Sequence, residues 1–102
     1  MVTAEISLYP VGTDSPSLSF YIARAIESIK DSKIKYQTTP MGTILESDDI
    51  QKIFDATKSM TETIHRLGVK RVEVILKIDS RTDKKQTADD KMKSLDRHLK
   101  GA

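Results

Sequence analysis

The chain contains no cysteine, so disulfides, thiolate metal sites and cysteine nucleophiles are excluded, and a reducing compartment suits it. It has no apolar run approaching the length of a membrane span. Glycine is scarce and scattered: Gly12, Gly42, Gly68 and Gly101 stand apart, which excludes a glycine-rich phosphate cradle. The two histidines, His65 and His98, are distant in sequence. Neither lies at ligand spacing from an acid or from the other, so no metal site is expected, and His65, one residue off an apolar helical stripe, reads as structural. No Ser-His-Asp set can be assembled, and no acid–base pair stands out, so no catalytic residue is assigned. The net charge of +2 is too small to imply a nucleic-acid partner. The first ten residues alternate and carry Glu5, unlike a secretion signal, so a cytoplasmic location is the expectation.

What is present is a balanced composition, 37% apolar and 31% charged, in 102 residues, enough for one domain with one core. Val2, Ala4, Ile6 and Leu8 alternate with polar residues and predict a strand ended by Pro10 and Gly12. Ser15-Pro16 has the chemistry of a helix start, followed by Leu18, Ile22, Ala25, Ile26 and Ile29 at helical spacing. Strands are expected over 34–39 and 43–46, joined at Pro40-Met41-Gly42 as a hairpin or as one kinked strand. A second helix, capped by Ser47 or Asp48, carries the stripe Ile50, Ile53, Phe54, Thr57, Met60, Ile64 and Leu67 and stops at Gly68. Val72, Val74, Leu76 and Ile78 mark the last strand, and a short helix with Met92, Leu95 and Leu99 follows from about Ala88 to Leu99.

The order β-α-β-β-α-β plus a terminal helix predicts an α+β fold of the ferredoxin-like split βαβ kind. Residues 1–81 form the expected ligand-binding domain. Residues 82–102 form a polar linker and a helix that packs on the domain or on a neighbouring subunit. With both main helices on one sheet face, the other carries Glu5, Ser7, Tyr9, Arg71, Glu73, Ile75 and Lys77. That mixture suits neither a core nor a plain solvent surface, so a sheet-to-sheet or edge-to-edge oligomer is expected. The charged residues from Arg81 onward are of mixed sign and read as a solvated face.

Three polar clusters carry whatever chemistry the chain has. Gly12 to Ser19 holds more hydroxyls, among them Ser17 and Ser19, than helix capping needs. Pro40-Met41-Gly42-Thr43 with Glu46 combines a hydroxyl, a close-approach glycine and a carboxylate able to accept from an amino-substituted ring or pair with a cationic one. Lys77 to Arg81 brings Asp79 and Arg81 to one side of an extended chain, suited to a structural ion pair or a ligand. Capping, turn chemistry and ion pairing each remain an alternative at this point.

In this order the clusters resemble the thiamine-binding YkoF-like family of small ferredoxin-like proteins. The resemblance runs through Tyr9 to Thr13 with Ser15 to Tyr21, Tyr36 to Thr43 with Glu46, and Gly68 to Val72 with Lys77 to Arg81. Pro-Met-Gly-Thr with its following glutamate is the most specific part, and Lys-Ile-Asp-x-Arg the next. The resemblance implies the split βαβ fold, a homodimer or homotetramer, and non-catalytic binding of thiamine or its hydroxymethylpyrimidine moiety, with no cofactor. It implies Ser17, Ser19, Thr43 and Glu46 as ligand-facing residues and Met41 and Gly42 as pocket wall. Ser47 departs from the glycine often found after the glutamate, and the segment beyond Arg81 has no counterpart. The alternative is a structural or protein-interaction module without a metabolite. An RNA-binding sheet would need paired aromatics, and Tyr9 is alone. Neither a nucleic-acid nor a membrane partner is expected.

Overall fold

The computed structural model describes residues 1–100 of the chain, so the last two positions of the expected 82–102 segment lie outside the described residues. Strand β1 (Val2–Val11) buries Val2, Ala4, Ile6 and Leu8, the four residues of its apolar alternation. It runs through Pro10 rather than ending there, and turns away at Gly12, whose φ of 83° is open to glycine at no steric cost. Helix α1 (Ser19–Glu27) is followed by a short 3₁₀ turn and by Lys33 in the left-handed region at φ 61°. Strands β2 (Lys35–Thr38) and β3 (Thr43–Ser47) form a hairpin. Helix α2 (Ile50–Arg66), strand β4 (Arg71–Ser80) and helix α3 (Ala88–Leu99) complete the order.

The sheet has the strand order β2-β3-β1-β4 with antiparallel neighbours, and α1 and α2 cover one face. This is the expected ferredoxin-like α+β arrangement. The core lies between sheet and helices, where Ile6, Ile29, Leu45, Ile53, Met60 and Ile64 are the largest fully buried side chains. Registers of β1 with β4 pair Glu5 with Lys77, Ser7 with Ile75 and Tyr9 with Glu73, which gathers these residues on the face away from the two helices. That face is free of a helical cover over Ile75, which is 61% exposed.

Local chemistry moved some boundaries. The hydroxyl of Ser15, expected to cap α1, instead accepts from the Ser17 amide at 3.1 Å, while Thr13 Oγ1 donates to the Ser15 carbonyl at 2.8 Å. Such short-range bonds hold the Thr13–Ser17 stretch in a turn and delay the helix to Ser19. In α2 the cap is Asp49, which accepts from Gln51 N at 2.9 Å, not Ser47 or Asp48; the Ser47 hydroxyl is used by Asp49 N at 3.0 Å. The buried stripe of α2 is Ile53, Ala56, Met60 and Ile64, whereas Ile50, Phe54 and Leu67 are exposed. His65 has the structural role expected of it, its Nδ1 lying 2.8 Å from the Val69 carbonyl beyond the Gly68 stop. Among the described residues, no helix is long and apolar enough to cross a membrane.

Candidate functional site

The β1–β3 ladder ends at the Ile6–Thr43 pair, while the β1–β4 ladder continues to Val11. From Ser7 onward β1 therefore has a partner on one side only, a setting in which a strand tolerates Pro10. The short hairpin leaves a cleft of about 630 Å³ between this free edge, α1 and the β2–β3 turn. Ile6 and Leu8 of β1 and Leu18, Ile22 and Ile26 of α1 give it apolar walls. The free strand edge adds backbone donors and acceptors at its margin.

The turn that closes the cleft is built around Thr39. Its amide donates to the Gly42 carbonyl at 2.9 Å and its hydroxyl donates to the same carbonyl at 2.8 Å, while that hydroxyl accepts from Gly42 N at 3.1 Å. Ser7 Oγ donates to the Met41 carbonyl at 3.1 Å and ties the turn to β1. Glycine at 42 allows a close approach: a Cβ there would stand 3.0 Å from both the Ile6 carbonyl oxygen and Ser7 Oγ. Met41, 78% exposed, overhangs the mouth.

Hydroxyl groups supply the polar chemistry. Thr38 and Thr43 are direct cross-strand partners, and Thr43, which pairs with Ile6, is on the helix-covered face and only 3% exposed. Ser19, in the first turn of α1, lines the same cleft. The hydroxyls of Ser19, Thr38 and Thr43 make no hydrogen bond within the protein among the described residues, unlike those of Thr39 and Ser7. The cleft thus offers three hydroxyls beside apolar walls, that of Thr43 on a buried residue and those of Ser19 and Thr38 on exposed ones.

Of the residues expected at the site, Ser19, Met41, Gly42 and Thr43 come together at this cleft. Ser17 lies in the preceding turn, outside the lining. Glu46 is three residues beyond Thr43, so the alternation of β3 turns it through the sheet to the opposite face. There it is 7% exposed, accepts from Ala88 N at 2.6 Å and pairs with Lys35 at 3.6 Å. Thr38 was missed from the sequence, although a four-residue connection from 39 to 42 makes it the partner of Thr43. The free edge of β1 had one local signal, Pro10, which the sequence reading takes as the end of the strand, while its extent follows from where β3 stops.

The third cluster also separates. Asp79 pairs with Lys91 of α3, whereas Arg81 pairs with Asp83 and donates to Gln86 Oε1 at 3.2 Å, so the expected Asp79–Arg81 pair does not form. The Lys91 ammonium holds the Asp79 carboxyl below its ordinary range, and the Arg81 guanidinium brings Asp83 down to about 2. The Thr87 backbone amide, with the Thr87 side chain, lowers Asp90 in the capping box that opens α3.

Fold and cleft together define a ferredoxin-like α+β protein with a pocket at the margin of its sheet. The family described as "Thiamine-binding protein" matches residues 4–96, and the chain belongs to it. It is 40% identical over 95 residues to a UPF0045 protein of Methanothermobacter thermautotrophicus, covering 93% of this chain and 96% of that one. The crystal structure of protein MJ1052 from Methanocaldococcus jannaschii superposes with a TM-score of 0.84 at 40% identity, over 92% of this chain and 94% of the other. A Thermotoga maritima structure, named as a proposed thiamine biosynthesis/salvage protein, superposes with a TM-score of 0.77 at 28% identity, over 92% of this chain and 97% of that one.

Proposed function

We propose that this protein is a non-catalytic, cytoplasmic binder of thiamine or its hydroxymethylpyrimidine moiety, acting as a homodimer or homotetramer. The observation that carries the reading is the cleft between α1 and the β2–β3 turn, in which free hydroxyls of Ser19, Thr38 and Thr43 face apolar walls in a member of the thiamine-binding family. In this reading the hydroxyls take the polar edge of the pyrimidine, Met41 covers its face and Gly42 keeps the turn close to β1. Ser17 and Glu46 act outside the contact set, Ser17 by shaping the approach to α1 and Glu46 by holding α3. Assembly is supported by the open sheet face with Ile75 and by the exposed residues Met92, Leu95 and Leu99 of α3, which no other element covers among the described residues.

Calorimetric titration of the folded protein with thiamine and with hydroxymethylpyrimidine tests the reading. Saturable heat with at least one ligand, reduced by Thr43→Val, is the expected result. Absence of heat with either at millimolar concentration removes it. The alternative, an interaction module without a metabolite, draws on the same exposed α3 stripe and predicts assembly by sedimentation with no ligand heat.

A further inference from the structure

The segment after β4 carries positive charge that the ion pairs of the fold do not use up. Lys84 and Lys85 of the connecting loop and Lys93 and Arg97 of α3 line a groove of about 230 Å³. Lys93 and Arg97 are four residues apart and so share one side of the helix. Lys84, Lys93 and Arg97 make no ion pair among the described residues, and Lys85 meets only Asp48, at 3.6 Å between two exposed side chains. The single acid of the lining, Asp90, is already committed: its carboxylate accepts from Thr87 N at 3.0 Å in the capping box. The Thr87 amide and side chain, and then the Lys93 and Lys84 ammonium groups, hold that carboxyl below its ordinary range. Four cations against one acid give the groove a local charge of +3, larger than the +2 of the whole chain. The other acids of α3, Asp89 and Asp96, lie outside the lining.

Two neutral groups complete the groove. Gln86 spends its carbonyl oxygen on Arg81 Nη1 at 3.2 Å, which leaves its amide N–H groups to donate. The Ser94 hydroxyl makes no hydrogen bond among the described residues. Donors therefore converge from both the loop and the helix. Like charges gathered in a concave site repel one another and focus a positive potential, so a polyanion relieves a cost as well as adding bonds. Arg97 can hold two oxygens of one phosphate side by side, while the lysines act as point charges on the others. A single phosphate engages only part of this set, whereas two linked phosphates span loop and helix together. The lining holds no aromatic or apolar side chain, so it offers neither stacking for the bases of a nucleic acid nor a seat for lipid. We propose that this groove binds a diphosphate group, free or carried by a nucleotide, at a site that shares no residue with the cleft between α1 and the β2–β3 turn.

The experiment is a nuclear magnetic resonance titration of the full chain at low salt with pyrophosphate, orthophosphate and ADP. Saturable shifts with pyrophosphate at the amides of Lys84, Lys85, Gln86, Lys93, Ser94 and Arg97 are the expected result, with orthophosphate about tenfold or more weaker. Lys93→Gln combined with Arg97→Gln should weaken pyrophosphate about tenfold or more, the scale of one or two partly screened charge interactions. The capping box is untouched in that variant, and the α3 amide pattern reports whether the helix is kept. Lys84→Gln with Lys85→Gln, placed outside the helix, should give the same loss. Lys30→Gln with Lys70→Gln removes equal charge far from the groove and should leave the affinity within about twofold. ADP binding at least as tightly as pyrophosphate supports the site with a nucleotide as its source, and binding of pyrophosphate alone supports it with the free anion. No saturable shift at millimolar pyrophosphate overturns the proposal. So do equal affinities for pyrophosphate and orthophosphate, an equal loss in the control variant, or shifts centred on Thr43 and the cleft. None of these outcomes bears on pyrimidine binding, which is read separately by calorimetry.

Discussion

The two faces of this sheet are made from the same strands and held by different forces. On the helix-covered face, Ile6, Leu45, Ile53 and Met60 are packed out of water, and Ile6 also lines the cleft. On the open face, α3 buries none of its own residues and is attached by polar contacts: Glu46 to Ala88 N at 2.6 Å, Lys91 to Asp79, and Lys85 to Asp48 at 3.6 Å. β3 feeds both, sending Thr43 to one side and Glu46 to the other. Hydrophobic burial gives the first face a fixed geometry, whereas exposed ion pairs contribute little each and leave the second open to solvent, salt and pH.

The largest effect separating the two faces should come from Gly42→Ala. Its new Cβ meets a backbone carbonyl and Ser7 Oγ at 3.0 Å, so the turn must move away from β1. A loss of about 1–3 kcal/mol in urea unfolding is expected, together with weakened ligand binding. Unchanged stability would mean that the turn is not held against β1.

A smaller and more local effect is expected from Glu46→Ala. It removes a nearly buried charged acceptor from the start of α3, at a cost of about 1–2 kcal/mol. Faster amide exchange confined to α3, with pyrimidine affinity retained, is the expected outcome. Lost affinity with α3 still protected would put Glu46 in the ligand site and erase the distinction between faces.

Acid should sharpen the contrast with the least perturbation. Asp79, Asp83 and Asp90 all have carboxyl pKa values below the ordinary 3.8, Asp83 reaching about 2. Groups depressed in the folded state stabilise it above their unfolded pKa and lose that contribution as the pH falls through the folded one. The α3 attachment should therefore weaken from about pH 4 down toward pH 2, as read by amide signals of Lys91 and Leu95, before core amides such as Leu45 respond. Loss of α3 and core protection in one step would show that the two faces are a single cooperative unit.

Much of the architecture was legible because it is periodic. The alternation in β1 and β4 gave the strands, their buried faces and the composition of the open face, since one residue of slip would have exposed every apolar side chain. The helices were found by their spacing, but their starts were not, because Ser15, Ser47 and Asp48 all have cap chemistry and only local competition for hydrogen bonds selects among them. The cleft was partly legible: Ser19, Met41, Gly42 and Thr43, which the resemblance implies, line it, whereas Ser17 lies in the preceding turn and Glu46, three residues beyond Thr43 in a strand, is on the opposite face.

The sequence by itself determined what repeats at short range: strand and helix identity, the sidedness of β1 and β4, and the tight turn at Gly42. Tertiary structure alone decided where the β1–β3 ladder ends, and so opened the cleft. It also decided that Glu46 meets α3 rather than that cleft. These outcomes depend on contacts between residues far apart in the chain, as between Ile6 and Thr43 and between Glu46 and Ala88, and a pattern of near neighbours carries no record of such distances.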